Sequence, residues 1–290
     1  MEEKKFDVQS IIGFVLIFGI LIFMFYQNQP TPEELEAEKA KQEQVEAAKA
    51  SANSETETVI NDVPQLDLQD STAVANYQGK LGAFGFTKPS NATTTIENEV
   101  LLLKISNKGG QIVEAKMKQF VTYDSVPVYL IKDGNASFGL DFSTSDNRVL
   151  NTQDLFFEPS ITKDNGNQVL SLKAKTSSNQ YLEYKYVMKP NDYLVDFTIK
   201  SKGLDNVISS SKPVQLDWKL KGIRHSKSIE YENRYTRLTY NHEDGKISKL
   251  SEGSDDEETE EDVKWISYRQ HFFSSILAAD QPFKSGDLTS

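Results

Sequence analysis

The chain opens with a block of apolar residues that is followed directly by a strongly charged segment. From Ile11 to Tyr26 every residue is apolar, aromatic or glycine. As a helix this run is about 24 Å long, and the uncharged interval from Val8 to Pro32 extends it to the roughly 30 Å hydrocarbon layer of a bilayer. A cleaved signal peptide would need a small-x-small site after the run, whereas here bulky residues precede polar ones. We therefore predict a retained transmembrane anchor over residues 11–30.

The side chains that would face lipid in this anchor are Ile11, Ile12, Phe14, Val15, Leu16, Ile17, Phe18, Ile20, Leu21, Ile22, Phe23, Met24, Phe25 and Tyr26. Lys4 and Lys5 precede the run, and the next lysine after it is Lys39. Because basic residues stay on the cytoplasmic side, residues 1–10 are predicted in the cytoplasm and the rest in the periplasm of a bacterial inner membrane. The lipid bilayer is thus the first predicted partner.

Residues 31–95 have the composition of a spacer. Residues 33–50 are almost all Glu, Lys, Gln and Ala, which predicts a solvated helix without an apolar stripe; the alternative is a docking helix for a partner. Residues 51–95 are rich in Ser, Thr, Asn and Asp, which is typical of a linker. The island KLGAFGFTKP, with Leu81, Phe84 and Phe86, either folds back onto the body or forms a local turn.

From about Thr95 the apolar residues follow the two-residue period of β-strands. NKGGQ, with Gly109 and Gly110, is a turn signal between two such runs, and residues 189–192 join two β-rich runs as a hairpin. Residues 272–279 are apolar on both faces and predict an interior strand. About ten strands predict an all-β sandwich of one domain over residues 96–280, with residues 281–290 beginning a connection to a further segment.

The composition limits the possible functions. The chain has no cysteine and a net charge of -11, which argues against nucleic acid as a partner because its phosphates would be repelled. Eight carboxylates lie between Glu252 and Asp262. We interpret this run as a mobile, solvated loop. The alternatives are a calcium site or a site for a basic partner, although the spacing does not match a folded calcium loop.

No motif in the chain carries recognisable chemistry. The three histidines, His225, His242 and His271, lack metal-ligand spacing. His271 is expected as a hydrogen-bonded core residue and His225 in a loop. We find no nucleophile or phosphate-binding motif, and predict no enzyme activity, no cofactor and no metal. The segment GIRHSKSIEYENRYTRLTYN is either a polar binding face or a long loop followed by an amphipathic strand.

Two stretches of the β body carry a resemblance to a known family. SNKGGQIVEA, and Trp265 followed by RQHFFSSILAAD, resemble the first and last strands of the periplasmic domain of the YidC membrane protein insertases, in the version of Bacteroidetes. The resemblance implies a β-supersandwich similar to mutarotase domains. It marks Gly109, Gly110, Trp265, His271, Phe272 and Phe273 as structural signature residues.

The resemblance also implies a function. Members of this family insert, fold and assemble integral membrane proteins, alone or with the Sec translocon. Nascent membrane proteins and Sec accessory subunits are the implied partners, and this region is expected to act as an anchor and a periplasmic accessory or docking domain. The family's membrane core would follow Ser290, so we expect a fragment of a longer protein. The alternative is a membrane-tethered carbohydrate-binding or mutarotase-like sandwich.

Overall fold

The computed structural model describes residues 66–250 and 255–290. This part of the chain contains fifteen strands in four antiparallel sheets. The first sheet has the order β1-β2-β3-β4 and comprises β1 (Thr93–Glu97), β2 (Leu101–Ser106), β3 (Ile112–Val121) and β4 (Pro127–Ile131). The second has the order β10-β9-β8-β7 and comprises β7 (Glu158–Asp164), β8 (Asn167–Lys175), β9 (Tyr181–Met188) and β10 (Val195–Lys202).

The two remaining sheets are built from the rest of the strands. The third has the order β11-β5-β6 and comprises β5 (Ala136–Ser143), β6 (Val149–Asn151) and β11 (Gln215–Leu220). The fourth has the order β13-β12-β14-β15 and comprises β12 (Arg237–His242), β13 (Lys246–Lys249), β14 (Glu257–Arg269) and β15 (Ser274–Thr289). The helices are α1 (Ser71–Leu81) and α2 (Ile229–Tyr235), with short 3-10 helices at Gly82–Phe86, Thr152–Asp154 and Glu243–Gly245.

The main core lies between the apolar faces of the first three sheets. Burial alternates along β2 and β9, as expected for strands with one dry face. Ile105, Leu170, Leu172 and Tyr184 are fully buried in one cluster with side chains of β5. A smaller cluster in the fourth sheet contains residues 238, 240, 250 and 288. The all-β sandwich predicted from the sequence is confirmed.

The predicted hairpin after β9 is also confirmed. Met188 pairs with Val195 across it, and β9 and β10 stay in register over eight residue pairs. Asn191 in the connection has φ +53°, a left-handed conformation that asparagine tolerates better than most residues. The Pro-Asn-Asp stretch therefore supplies both the turn and the register of these two strands.

Gly109 and Gly110 form the predicted turn between β2 and β3. Their φ angles are +84° and +65°, which an L side chain rarely adopts. A Cβ atom on Gly110 would lie 2.9 Å from Cδ2 of Tyr184. The hydroxyl of Tyr186 donates a hydrogen bond of 2.7 Å to the carbonyl of Gly110. The turn is thus packed directly against the aromatic side of β9.

The prediction of a linker up to residue 95 is wrong for residues 71–86. Asp70 caps α1 by accepting hydrogen bonds from the backbone amides of Thr72 and Ala73, at 2.8 and 3.1 Å. At the other end, the Arg148 guanidinium donates to the carbonyls of residues 79 and 80. Phe84 is fully buried against Phe142, with ring centroids 5.5 Å apart. The KLGAFGFTKP island therefore folds back onto the β body, which is the first of its two predicted alternatives.

The acidic run and the C-terminal segment also differ from their predictions. The run is not a loop from Glu257 onward, because β14 begins there and its backbone pairs with β15. Its carboxylates point to solvent except that of Glu260, which is partly buried. β15 is an edge strand that continues to Thr289, so neither an interior strand at residues 272–279 nor a connection at 281–290 is present. Exposed and half-buried residues alternate along β15, so one of its two apolar faces is open to solvent. The sequence shows only that both faces are apolar, which is why it predicts an interior strand.

The predicted anchor and helical spacer lie outside the described residues. Within residues 66–250 and 255–290, no helix has the length and apolar content needed to cross a bilayer.

Replacing Phe84 by alanine should destabilise the domain by about 3–5 kcal/mol, the usual range for a buried phenylalanine. Phe86→Ala is the matched control, because Phe86 is 57% exposed two positions away, and should change stability by less than about 0.5 kcal/mol. Urea unfolding of the purified chain, followed by tryptophan fluorescence, measures both. Equal effects of the two variants would mean that this segment is not docked on the body.

A second pair of variants tests the turn at Gly110. Gly110→Ala should cost about 2–5 kcal/mol, since left-handed strain of about 1–2 kcal/mol is added to a clash with Tyr184. Gly245→Ala has a similar positive φ but no atom within 4 Å of the new Cβ. It should show the strain alone, about 1–2 kcal/mol in the same unfolding assay. A Gly110→Ala variant no less stable than Gly245→Ala would contradict the close packing described here.

Candidate binding groove

An apolar groove of about 820 Å³ lies beside His225, His271, Phe272 and Phe273. One wall is the end of the β3–β4 hairpin together with the loop after β9. The other wall is formed by the segment that precedes α2, the first turn of α2, and the connection between β14 and β15. The side chains that line the groove are Met117, Phe120, Val121, Thr122, Tyr123, Val128, Tyr193, His225, Ser226, Lys227, Ser228, Tyr231, His271, Phe272 and Phe273.

Aromatic rings hold the two walls together at the base of the groove. Phe120 contacts Phe273 edge to face, with ring centroids 5.3 Å apart, and lies 6.4 Å from the ring of Tyr193. His225 packs against the other side of Phe273 at 5.4 Å. Edge-to-face pairs of this kind contribute roughly 0.5–1.5 kcal/mol beyond simple burial. Phe273 is therefore the contact that connects the β14–β15 connection to the first sheet.

Further out, the groove exposes large apolar side chains to solvent. Val121 and Phe272 are each 65% exposed, and Tyr123 and Tyr231 are about half exposed. Single exposed apolar residues are common, but a cluster of them around one concavity is typical of a binding surface. Among the described residues that line the groove none is acidic, and Lys227 is the one lysine.

His225 places an unsatisfied polar atom in this apolar setting. Its residue is 4% exposed, and Nε2 lies 2.8 Å from the carbonyl oxygen of Tyr129. Because a carbonyl only accepts, Nε2 carries the proton and Nδ1 has a free lone pair. Nδ1 is buried without a hydrogen-bond partner.

A buried carboxylate fixes the wall that carries α2. Glu232 is 3% exposed, and its Oε2 accepts a hydrogen bond of 2.8 Å from the backbone amide of Ser226. The Gln270 side chain donates to Oε1 at 3.4 Å. Ser228 caps α2 by accepting from the backbone amide of Tyr231. These bonds lock the segment before α2 to the connection between β14 and β15.

His271 is expected in the core from the sequence, but it lies at the rim of the groove. Its ring is half-buried and stacks on Tyr235 at 4.6 Å with an interplanar angle of 9°. Phe272 stacks on its other side at 4.1 Å. The expected hydrogen bond is present, between Nδ1 and the hydroxyl of Ser226, at 3.1 Å. The chain places His271 outside the core because it precedes β15 and does not lie within it.

The structure brings together some of the sequence-predicted residues and separates others. His271, Phe272 and Phe273 line the same groove as His225 and Tyr231. The latter two belong to the segment GIRHSKSIEYENRYTRLTYN, which is interpreted from its sequence as a polar binding face or as a loop followed by a strand. That segment contains a helix, α2, before its strand. Gly109, Gly110 and Trp265 lie away from the groove. The turn glycines pack against β9, while Trp265 pairs with Asn241 and Ala278 in the fourth sheet.

The sequence analysis missed the wall formed by the β3–β4 hairpin. In β3 the polar positions are Glu114, Lys116 and Lys118, and the next position in that alternation is Phe120. An aromatic residue on the solvent-facing side of a strand is the signal that identifies this wall.

Comparisons with known proteins agree with the resemblance noted in the sequence. The family model of the YidC periplasmic domain matches residues 93–289. The membrane protein insertase YidC of Parabacteroides distasonis is 32% identical over 293 aligned residues, which cover 98% of this chain and 46% of the relative. The corresponding protein of Azobacteroides pseudotrichonymphae is 31% identical, covering 98% of this chain and 44% of the relative.

A third relative, the membrane protein insertase YidC of Porphyromonas gingivalis, is 32% identical over 73% of this chain and 34% of its own length. The chain therefore spans less than half the length of these curated relatives. The family model covers all four sheets described above, from the start of β1 to the end of β15. The chain belongs to the family of YidC periplasmic domains.

Proposed function

We propose that this chain is the anchored periplasmic part of a membrane protein insertase, and that its groove holds extended hydrophobic segments of nascent membrane proteins. The relatives are named membrane protein insertases, which gives the class of client. The predicted anchor at residues 11–30, with residues 1–10 in the cytoplasm, would tether the chain to the membrane. The role is reversible binding and requires no catalytic group.

The single observation that carries this proposal is the clustering of exposed aromatic and aliphatic side chains around one groove. Its volume of about 820 Å³ falls within the roughly 300–1,000 Å³ of ligand clefts. Phe272 and Val121 lie on opposite walls and expose most of their surface. Burying them against an apolar client would recover roughly 25 cal/mol for each Å² removed from water.

The polar features of the groove fit a polypeptide better than a simple lipid chain. The hydroxyls of Tyr123 and Tyr231, both about half exposed, line the groove and can form hydrogen bonds with backbone groups of an extended segment. Alternate side chains of such a segment point in opposite directions, so one set would face the aromatic base of the groove. The absence of acidic groups among the described lining residues avoids burying a charge without a partner.

Site-specific photo-crosslinking tests whether clients occupy the groove. A photoreactive residue at Tyr231 should crosslink to a ribosome-bound nascent membrane protein during insertion. The same residue at Val149, which is 67% exposed and lies outside the groove, is the control. Crosslinking from position 149 but not from position 231 would exclude the groove as the contact site.

Phe272→Asp tests whether the contact is apolar. Because Phe272 is largely exposed, the variant should fold normally, but a charge in the groove should weaken crosslinking or binding of an apolar client peptide at least tenfold, about 1.4 kcal/mol. Val149→Asp introduces the same charge at an equally exposed site and should have no effect. An unchanged affinity in Phe272→Asp would contradict the proposed occupant.

We also propose that the domain has an accessory role and contacts Sec accessory subunits, as the family resemblance implies. Deleting residues 66–289 from a full-length insertase that keeps the anchor should reduce insertion of some clients, and should remove crosslinks to Sec subunits. Complete loss of insertion for every client would contradict an accessory role, even if the groove binds peptide.

A further inference from the structure

A second cluster of polar side chains lies in the fourth sheet, away from the groove. His242 ends β12, and Glu260 lies in β14, with Nδ1 of the histidine 2.7 Å from Oε2 of the carboxylate. Glu243 follows His242 in the chain. One ligand atom of each of these three residues lies within 4.8 Å of the other two. We propose that His242, Glu260 and Glu243 form a binding site for a divalent ion of the zinc class.

The histidine is held as a metal ligand would be. Its residue is 6% exposed, and Nε2 lies 2.9 Å from the hydroxyl of Ser248. When Nε2 donates this hydrogen bond, Nδ1 presents a lone pair toward Glu260. Fixing one ring nitrogen by a hydrogen bond so that the other is free is the usual second-shell arrangement of ligating histidines.

Nδ1 itself makes no hydrogen bond and is buried. Although Oε2 of Glu260 is close, the alignment of the two atoms is poor for a hydrogen bond. The lone pair of Nδ1 points beside Oε2 and not directly at it, so a cation placed along this lone pair would contact both atoms. This unpartnered, buried nitrogen is the observation that separates the cluster from an ordinary group of acidic side chains.

The carboxylate is oriented in the same way. The Tyr240 hydroxyl donates a hydrogen bond of 3.0 Å to Oε1 of Glu260. Burial, and then the contact with Glu260, raise the pKa of Tyr240 to about 12, so that the hydroxyl remains a donor at neutral pH. Oε1 is thereby occupied, and Oε2 is left to face His242.

Bond lengths are compatible with a small adjustment. In a tetrahedral zinc site with bonds of about 2.0–2.1 Å, two ligand atoms lie about 3.3 Å apart. Oε2 of Glu260 therefore has to retreat by roughly 0.6 Å from Nδ1. One imidazole nitrogen with two carboxylates suits zinc and related ions, whereas calcium and magnesium prefer oxygen ligands alone.

Lys246 competes with the ion in this arrangement. Its ammonium group forms an ion pair with Oε2 of Glu243. Glu243 is about half exposed, so it can turn from the lysine to an ion at His242. Removing the lysine charge should therefore strengthen ion binding. An exclusively structural role for the His242–Glu260 pair would not produce this gain.

Calorimetric titration of the full chain with zinc chloride, after treatment with a chelator, tests the site. We expect one saturable site with a dissociation constant below about 10 μM, which calcium and magnesium do not occupy. His242→Gln and Glu260→Gln should each weaken zinc binding at least tenfold. Lys246→Gln should strengthen it about three- to tenfold, and because Lys246 is exposed this variant is expected to fold.

His271→Gln is the matched control. His271 is a half-buried histidine in the groove, outside the cluster, so its replacement should leave zinc affinity unchanged. Saturable binding weaker than about 100 μM, binding that persists in both His242→Gln and Glu260→Gln, or a Lys246→Gln variant that binds zinc no better would overturn the proposal. Peptide crosslinking in the groove is a separate readout and does not depend on this result.

Discussion

The fold depends on one close approach, between the turn at Gly110 and the aromatic face of β9. A side chain at Gly110 would clash, because a Cβ atom there would lie 2.9 Å from Cδ2 of Tyr184. Tyr184 in turn contacts Phe157 at 5.0 Å and Phe197 at 5.2 Å, so the turn closes onto a continuous aromatic layer. This contact joins the first sheet to the second. It lies in the five-residue connection between β2 and β3, which a larger residue at Gly110 would disturb.

The groove follows from where that core ends. The β3–β4 hairpin is longer than the core beneath it, so Phe120 and Val121 project past the buried layer. Phe273 covers Phe120 only in part, which leaves a concavity between the hairpin and α2. Exposed apolar surface contributes nothing to the stability of the isolated domain. Its concentration at one place is therefore better explained by a partner than by folding.

Elements with strong two-residue periodicity could be predicted from the sequence, and those without it could not. β2 and β9 bury every second side chain, as does β8 from Leu170 onward. The turn glycines mark the end of β2, and the Pro-Asn-Asp hairpin marks the end of β9. α1 could not be predicted because six of the eleven residues in its stretch STAVANYQGKL are weaker helix formers, and its ends are fixed by Asp70 and by the distant Arg148. β7 buries none of its residues, so its sequence lacks the alternation of apolar and polar residues that identifies a strand. The groove could not be predicted from the sequence because its walls are about 100 residues apart in the chain.

The acidic strand shows how a polar segment can be held in a sheet without a large core. The outer half of β14 pairs only with β15, as a two-stranded ribbon, because β12 pairs with β14 from Trp265 onward. Two-stranded ribbons are marginal in water. This ribbon is attached to the rest of the sheet by Leu288, which packs in the small cluster with Tyr240, and by the contacts of Glu260 with Tyr240 and His242. Carboxylates elsewhere on the strand remain solvated, so the chain concentrates its buried polar contacts at Glu260. An ion bound there would act on the one attachment that the apolar cluster does not already provide.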